Sequence, residues 1–175
     1  MLTALENDPD PSKRLSAVVT KALRFLEFEV DDIDEKIKSA IKKEDLWVRE
    51  GNFLAITEVT GTVNKNPKTK EFNDIFARMA TIYKRQNELP LPIGANISGL
   101  LVLNYDVGTH PSKRPKPYTG EDENIIHTAL DQNIGVLTTV ELHKILVAVK
   151  QGVLSKPDAR AVLKKFGRIE FIATR

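Results

Sequence analysis

The 175-residue sequence contains no cysteine, one tryptophan, two methionines and three histidines. Without cysteine, a disulfide framework, a zinc–thiolate site and a cysteine nucleophile are all excluded. His110, His127 and His143 are dispersed along the chain, and none stands four residues from another histidine. That spacing favours surface or packing roles for the histidines over a metal site.

Long apolar runs and nucleotide-binding glycine motifs are also missing. No stretch of 18 apolar residues occurs, and the N-terminus lacks the basic-then-apolar pattern of a secretory signal. We therefore expect a cytoplasmic protein with no membrane partner. The sequence holds no Gly-x-Gly-x-x-Gly, phosphate-loop or Gly-x-Ser-x-Gly stretch, which excludes dinucleotide enzymes, phosphate-loop ATPases and α/β-hydrolases.

The charge balance lacks a strong excess of either sign. The 26 Lys and Arg residues against 24 Asp and Glu residues leave a net charge of +2. Because this is far from the composition of a protein that coats nucleic acid, any nucleic-acid binding must come from a local cluster of cations.

The length fits one domain with a substantial core. Residues 1–14 are polar and interrupted by proline, which predicts a linker or flexible arm before a single domain over residues 15–175. Such a boundary is also typical of one domain within a longer protein. We keep further domains and a homodimer among the expected partners.

Hydrophobic periodicity predicts alternating helices and strands. Apolar residues at three- and four-residue spacing, including Val18 and Phe25, predict a helix over 15–28, and a second stripe predicts a helix over 72–83. Capping patterns predict helices beginning at Thr119, Thr138 and Ser155. The remaining apolar runs predict strands over 29–33, 97–107, 134–137 and 169–173. This order is typical of an α/β protein.

Residues 45–61 predict a β-hairpin with a carboxylate on each strand. Side chains alternate along a strand, so Glu58 and Thr60 share one face. With Glu50-Gly51 as a two-residue loop and Gly51 at positive φ, Arg49 would face Asn52 and Asp45 would lie diagonal to Glu58 on that same face. We adopt this register; a three-residue loop would instead turn Asp45 to the opposite face.

An acidic residue entering one strand, followed by Glu-Val-Thr-Gly at 58–61 leaving the next, resembles the PD-(D/E)XK, or restriction-endonuclease-like, nuclease superfamily. The resemblance runs over about residues 15–171 and is carried further by the stretches at 99–104 and 135–141. It implies an α/β fold with a three-layer core, in which a central mixed β-sheet is flanked by helices.

The resemblance also implies a metal-dependent phosphodiesterase for DNA. Asp45, Glu58 and the backbone carbonyl of Val59 would hold Mg²⁺, for which Mn²⁺ could substitute, and the metal would activate water. Thr60 stands where the family has a lysine, so both an active endonuclease and a catalytically degenerate relative remain open. The cations that could replace the missing lysine are Lys65, Lys68 and Lys70.

Two basic stretches are candidates for contact with nucleic acid. Lys65 and Lys68 follow the hairpin, and the proline-rich loop 110–118 carries further cations and Tyr118, which could stack on a base. The cations of that loop are Lys113, Arg114 and Lys116. A stiff crossover loop explains the prolines equally simply, so the alternative function is a non-catalytic nucleic-acid-binding or dimerisation module on the same fold.

Overall fold

The computed structural model describes residues 11–32, 46–62, 69–89, 91 and 93–172. These residues form one six-stranded sheet and five α-helices. In chain order the elements are α1 (Pro11–Phe25), β1 (Glu29–Asp32), β2 (Leu46–Glu50), β3 (Phe53–Gly61), α2 (Thr69–Lys84), β4 (Asn96–Asn104), α3 (Glu123–Asp131), β5 (Ile134–Thr138), α4 (Thr139–Lys150), α5 (Lys156–Leu163) and β6 (Gly167–Ile169).

The sheet changes from antiparallel to parallel at β3. Strands β1, β2 and β3 pair antiparallel as a meander, whereas β3, β4, β5 and β6 pair parallel. The order of strands across the sheet is the order along the chain. The predicted α/β class with a central mixed sheet between helices is confirmed.

Helices cover both faces of the sheet. Apolar residues of α1, α4 and α5 pack on one face, called the α1 face, and those of α2 and α3 pack on the other, called the α2 face. Strand β4 is buried on both: Val102 contributes to the α1 face, and Leu101 and Leu103 to the α2 face. None of the helices in the described part of the chain is long and apolar enough to span a membrane.

The hairpin register differs from the predicted one by two positions. Glu50 lies opposite Phe53 and Trp47 opposite Ile56, so the loop is Gly51-Asn52 and the expected pairing of Arg49 with Asn52 is wrong. Gly51 has the expected positive φ, +58°, but stands first in the loop, as in type II′ turns. Because side chains alternate with a period of two, the shift leaves the predicted faces unchanged.

Helix α1 begins at Pro11, four residues before the predicted start, and so includes residues 11–14 that we expected in an arm. Proline is tolerated at the first helical position because its missing N–H would have no intrahelical partner there. Val18 and Phe25, expected inside, are 44% and 37% exposed, whereas Leu23 is fully buried. The buried stripe is therefore centred on the Leu23 side of the helix.

Two of the three predicted helix caps are confirmed. The hydroxyl oxygen of Thr138 accepts a hydrogen bond from the Glu141 N–H (3.1 Å), and that of Ser155 accepts one from the Asp158 N–H (3.2 Å). Thr119 makes no side-chain cap bond, and a 3-10 turn over Gly120–Asp122 precedes α3. The final strand, β6, lies two residues earlier than predicted at its start and ends at Ile169.

Candidate functional site

Glu58, the carboxylate predicted near the end of β3, lies on the α2 face and forms an ion pair with the guanidinium of Arg78 in α2. The two side chains are 18% and 15% exposed. Attraction between charges is stronger in such partly buried surroundings than at the surface, because less water screens it. The pair therefore ties α2 to β3 and compensates the charge of Glu58.

Sequence reasoning missed Arg78, although a signal was present. Arg78 stands three residues after Ile75 and one before Met79, both of which are buried in α2. A charged residue inside an apolar helical stripe faces the sheet, where it needs a partner of opposite charge. The strand below supplies Glu58.

The described residues include only part of the predicted Mg²⁺ site. Asp45 lies outside them, and the Val59 side chain is buried on the α1 face, so Asp45 and the Val59 backbone carbonyl remain predicted ligands. Among the described residues, no group of three or more His, Asp or Glu side chains is placed to hold a metal ion. A carboxylate bonded to a guanidinium is a poor ligand for a divalent cation, which prefers oxygen donors without a competing positive charge.

Of the three lysines that were predicted to replace the missing one, the structure describes one. Lys65 and Lys68 lie outside the described residues. Lys70 is exposed in the first turn of α2, which begins three residues before the predicted start at residue 72. Thr60 follows Glu58 on the same face of β3 and is half-buried. Arg78 is thus a cation that the fold brings into contact with Glu58.

A second ion pair lies on the α2 face of the same meander. Arg49 of β2 donates a hydrogen bond to the carboxylate of Asp31 in β1 and lies 4.0 Å from that of Glu29. Acidic groups in this part of the sheet are therefore paired with arginines.

The basic loop between β4 and α3 is bonded to the body of the protein. Arg114 donates to the Thr109 carbonyl (2.9 Å) and to Oδ1 of Asn104 (3.1 Å). Lys116 pairs with Glu170 (2.8 Å), and Lys113 ends a 3-10 turn with its side chain exposed. Of the three cations of this loop that were predicted to contact nucleic acid, Lys113 is thus the most available one.

Two side chains hold the carbonyls of this loop. The Tyr105 hydroxyl donates to the Pro115 carbonyl, and Arg168 Nη2 donates to the carbonyls of Pro117 (3.1 Å) and Tyr118 (2.9 Å). Tyr118 is fully buried and has a positive φ of 53°. The expectation that Tyr118 stacks on a base is therefore wrong, since its ring belongs to the core; burial also raises the pKa of the Tyr118 hydroxyl.

A cleft of about 330 Å³ opens at the carboxyl ends of β4, β5 and β6. Its walls come from the loop after β4, the first turns of α4 and the segment after β6. After β4 the chain passes to α3 on the α2 face, and after β5 to α4 on the α1 face. In α/β sheets, a crevice for ligands forms where neighbouring strands send their connections to opposite faces.

Charged side chains line this cleft. The cations are Arg114, Lys116, Lys144 and Arg168, and the carboxylates are Glu141 and Glu170. The sequence predicted a role for the first two cations only. Lys144 and Arg168 were missed because they come close to the loop only when α4 packs on the sheet and β6 pairs with β5.

Comparisons with protein-family models, with curated proteins and with solved structures find no match to this chain. The structure defines an α/β protein with a six-stranded mixed sheet. Resemblance to the restriction-endonuclease-like superfamily remains a prediction from the sequence.

Proposed function

We propose that this chain is a nuclease-like domain that binds DNA and whose metal-dependent phosphodiester hydrolysis is degenerate. The observation that carries the proposal is the Glu58–Arg78 ion pair beside Thr60. The acidic residue of the hairpin motif is present, but its charge is already compensated by the protein.

A guanidinium keeps its positive charge at every physiological pH. A divalent cation approaching Glu58 would have to displace Arg78 and then remain close to that charge. At the same time Thr60 offers a neutral hydroxyl, which cannot stabilise the negative charge that develops on a phosphate during hydrolysis. Both features weaken a reaction that depends on a metal-bound water.

DNA binding is supported by the cations of the loop 110–118. Net charge is small, so the contact must be local, and Lys113 is exposed on this loop. An exposed lysine contributes to affinity by neutralising backbone phosphate and releasing counterions, without reading the base sequence. Binding is therefore expected to weaken as the salt concentration rises.

A cleavage assay tests the degenerate site. The full chain is incubated with supercoiled plasmid in Mg²⁺, in Mn²⁺ and in EDTA, beside the variant Glu58→Gln. We expect no metal-dependent nicking above the EDTA background for either protein. Nicking by the wild type that requires metal and disappears in Glu58→Gln would refute a degenerate site.

A binding assay tests the DNA contact separately. Fluorescence anisotropy in EDTA compares the wild type, Lys113→Glu and the matched control Lys165→Glu on a duplex with hydroxyl ends. Both lysines are exposed, but Lys165 precedes β6 at the amino end of the strand, whereas the loop follows the carboxyl end of the parallel strand β4. We expect Lys113→Glu to weaken binding about tenfold and Lys165→Glu to change it less than about twofold. Equal losses would show that binding does not use the loop.

A second candidate is a slow nuclease in which Arg78 supplies the missing positive charge. It is favoured by the contact between Arg78 and Glu58. In that case the wild type would nick DNA with Mn²⁺, and Arg78→Ala would abolish nicking while Arg78→Lys would retain part of it. The degenerate site predicts no nicking by any of the three proteins.

A further inference from the structure

We propose that the cleft at the carboxyl ends of β4, β5 and β6 binds the phosphate monoester of a nucleotide-sized ligand. This site is distinct from Glu58, and the inference does not depend on the proposed loss of hydrolysis. It uses Lys144 and Arg168 as well as the loop residues Arg114 and Lys116.

The charge inside the cleft favours an anion. Four cationic side chains and two carboxylates line it among the described residues. Each carboxylate is already engaged by a lysine: Glu141 by Lys144 (2.6 Å) and Glu170 by Lys116 (2.8 Å). The two arginines provide the excess positive charge of the lining, which Glu123 beside Arg168 reduces in part, and a phosphate would compensate the remainder.

The arginines are held mainly by neutral oxygens. Arg114 donates to the Thr109 carbonyl and to the Asn104 amide oxygen. Arg168 Nη2 donates to two loop carbonyls and also pairs with the carboxylate of Glu123 (3.3 Å), a residue that does not line the cleft. Both guanidinium groups are thus fixed in position, and Arg114, which is bonded to neutral oxygens, keeps its charge available to a ligand. Such preorganisation reduces the entropy lost on binding.

Donor groups beside the cleft are not fully used. Within the described residues, Nε of Arg168 and Nδ2 of Asn104 are buried and have no hydrogen-bond partner. The Asn104 side chain is 98% buried, since its exposed fraction is 2%, and its Oδ1 accepts from both Arg114 and Thr139. Buried donors without partners are unfavourable; Asn104 does not itself line the cleft, but it accepts a hydrogen bond from Arg114, which does.

The N-terminus of α4 adds to this arrangement. Thr138, its N-cap, lines the cleft, and α4 is 12 residues long. The positive end of its dipole is therefore directed at the cleft. The N-terminus of α4 thus adds partial positive charge on one side of the cleft, in addition to the charge of the arginines.

The size and apolar lining indicate more than inorganic phosphate. A volume of about 330 Å³ lies in the range of small-molecule sites. Val140, Ile169 and Phe171 contribute apolar surface to the same cleft. A ligand with a phosphate and an attached sugar or base would use both kinds of surface, either as a free mononucleotide or as the 5′-phosphate end of a strand.

Calorimetry on the full chain in EDTA tests the phosphate requirement. Titration of AMP is compared with titration of adenosine, which differs only in lacking the phosphate. We expect AMP to bind at least about tenfold more tightly. The second arm measures anisotropy of a labelled single strand with a 5′-phosphate and of the same strand with a 5′-hydroxyl. A preference in the first arm alone identifies a free nucleotide, and one in the second a strand end.

Paired variants on α4 locate the site. Lys144→Glu reverses a charge in the cleft, whereas Lys150→Glu makes the same change at the other end of the helix. Both side chains are exposed, so the fold is expected to persist, and Lys116→Glu provides a second change in the cleft. We expect the two cleft variants to lose about tenfold in phosphate-dependent affinity and Lys150→Glu to lose less than about twofold.

The absence of a phosphate preference in both arms would overturn the proposal, as would equal losses for Lys144→Glu and Lys150→Glu. Neither result bears on the proposed function. That function is tested with hydroxyl-ended duplex, with Glu58→Gln and with Lys113, which does not line the cleft.

Discussion

Glu58 and Arg168 occupy the same row of the sheet and have opposite surroundings. In that row Glu58 is beside Leu101, Leu101 beside Val136, and Val136 beside Arg168. Three strand spacings separate the two backbones, about 14 Å. Glu58 is neutralised by Arg78 from the helix above it, whereas Arg168 stands at a cleft in which cations outnumber carboxylates.

This difference shows where the protein keeps charge available for a ligand. At the hairpin, α2 has compensated the acidic group before any ligand binds. At the carboxyl ends of β4 to β6, carbonyl and amide oxygens hold Arg114 without cancelling its charge, and Arg168 shares its charge with Glu123. The sequence motif indicates the acidic hairpin, but the charged side chains that a ligand can reach line the cleft.

The largest expected effect comes from comparing a tightly packed glycine of β5 with a loosely packed glycine of β3. A Cβ added to Gly135 of β5 would lie 2.8 Å from both the Ile169 side chain and the Lys165 carbonyl oxygen, whereas one added to Gly61 of β3 would have 3.5 Å to its nearest neighbour, Leu15. We expect Gly135→Ala to lower the free energy of unfolding by about 2–3 kcal/mol. Gly61→Ala should change it by less than about 0.5 kcal/mol. Urea unfolding measures both, and similar losses would contradict this packing.

The next largest effect concerns the loss of unfolding free energy when an ion pair is broken at Glu58 or in the cleft. Arg78→Met removes a partly buried partner of Glu58, and we expect a loss of about 2 kcal/mol in unfolding free energy. Lys144→Met breaks the exposed pair with Glu141 and should cost less than about 0.5 kcal/mol. Urea midpoints compare the two variants. Glu58 would not be stabilised by α2 if Arg78→Met unfolded at the wild-type midpoint.

The smallest effect concerns the other carboxylate of the hairpin, Glu50, on the α1 face. Its hydrogen bond with Lys164, aided by Arg160, holds the pKa of Glu50 below its usual 4.5. A carboxyl with a lowered folded-state pKa stabilises the fold above its unfolded pKa, and this stabilisation is lost as the pH falls through the folded value. The stability difference between wild type and Glu50→Gln should therefore be constant above about pH 5 and shrink below about pH 4.

Unfolding in urea at several pH values between about 3 and 7 measures this dependence. Glu50→Gln itself titrates nothing at this position, so it serves as the reference. A difference that stays constant down to the acidic end would show that the Lys164 hydrogen bond does not favour the ionised form.

The sequence predicted the elements that have a clear hydrophobic period. It did not predict the hairpin register, because a shift of two residues preserves the alternation of side chains. The stripe of Phe72, Ile75 and Met79 predicted α2, because its spacing fits a single helical face. The hairpin register was wrong because Gly51 can stand first or second in a two-residue loop. Both choices put the same side chains on the same face, so alternation cannot distinguish them.

Contacts between distant elements explain the remaining errors. Arg78 meets Glu58 across 20 residues, and Arg168 meets Tyr118 across 50. These pairs depend on where α2 rests on β3 and on which strand neighbours β5, and no local pattern specifies either. The rule that ligand crevices form at the carboxyl ends of parallel strands would have pointed to the loop after β4 once the faces covered by α3 and α4 were known.

The agreement between spatial and sequential strand order has a consequence for assembly. Each strand from β2 to β6 pairs with the strand that precedes it in the chain, so during synthesis every new strand meets an edge that is already made. A nascent chain that has not reached residue 167 already possesses the partners Glu58 and Arg78, but it lacks one wall of the cleft and the guanidinium of Arg168.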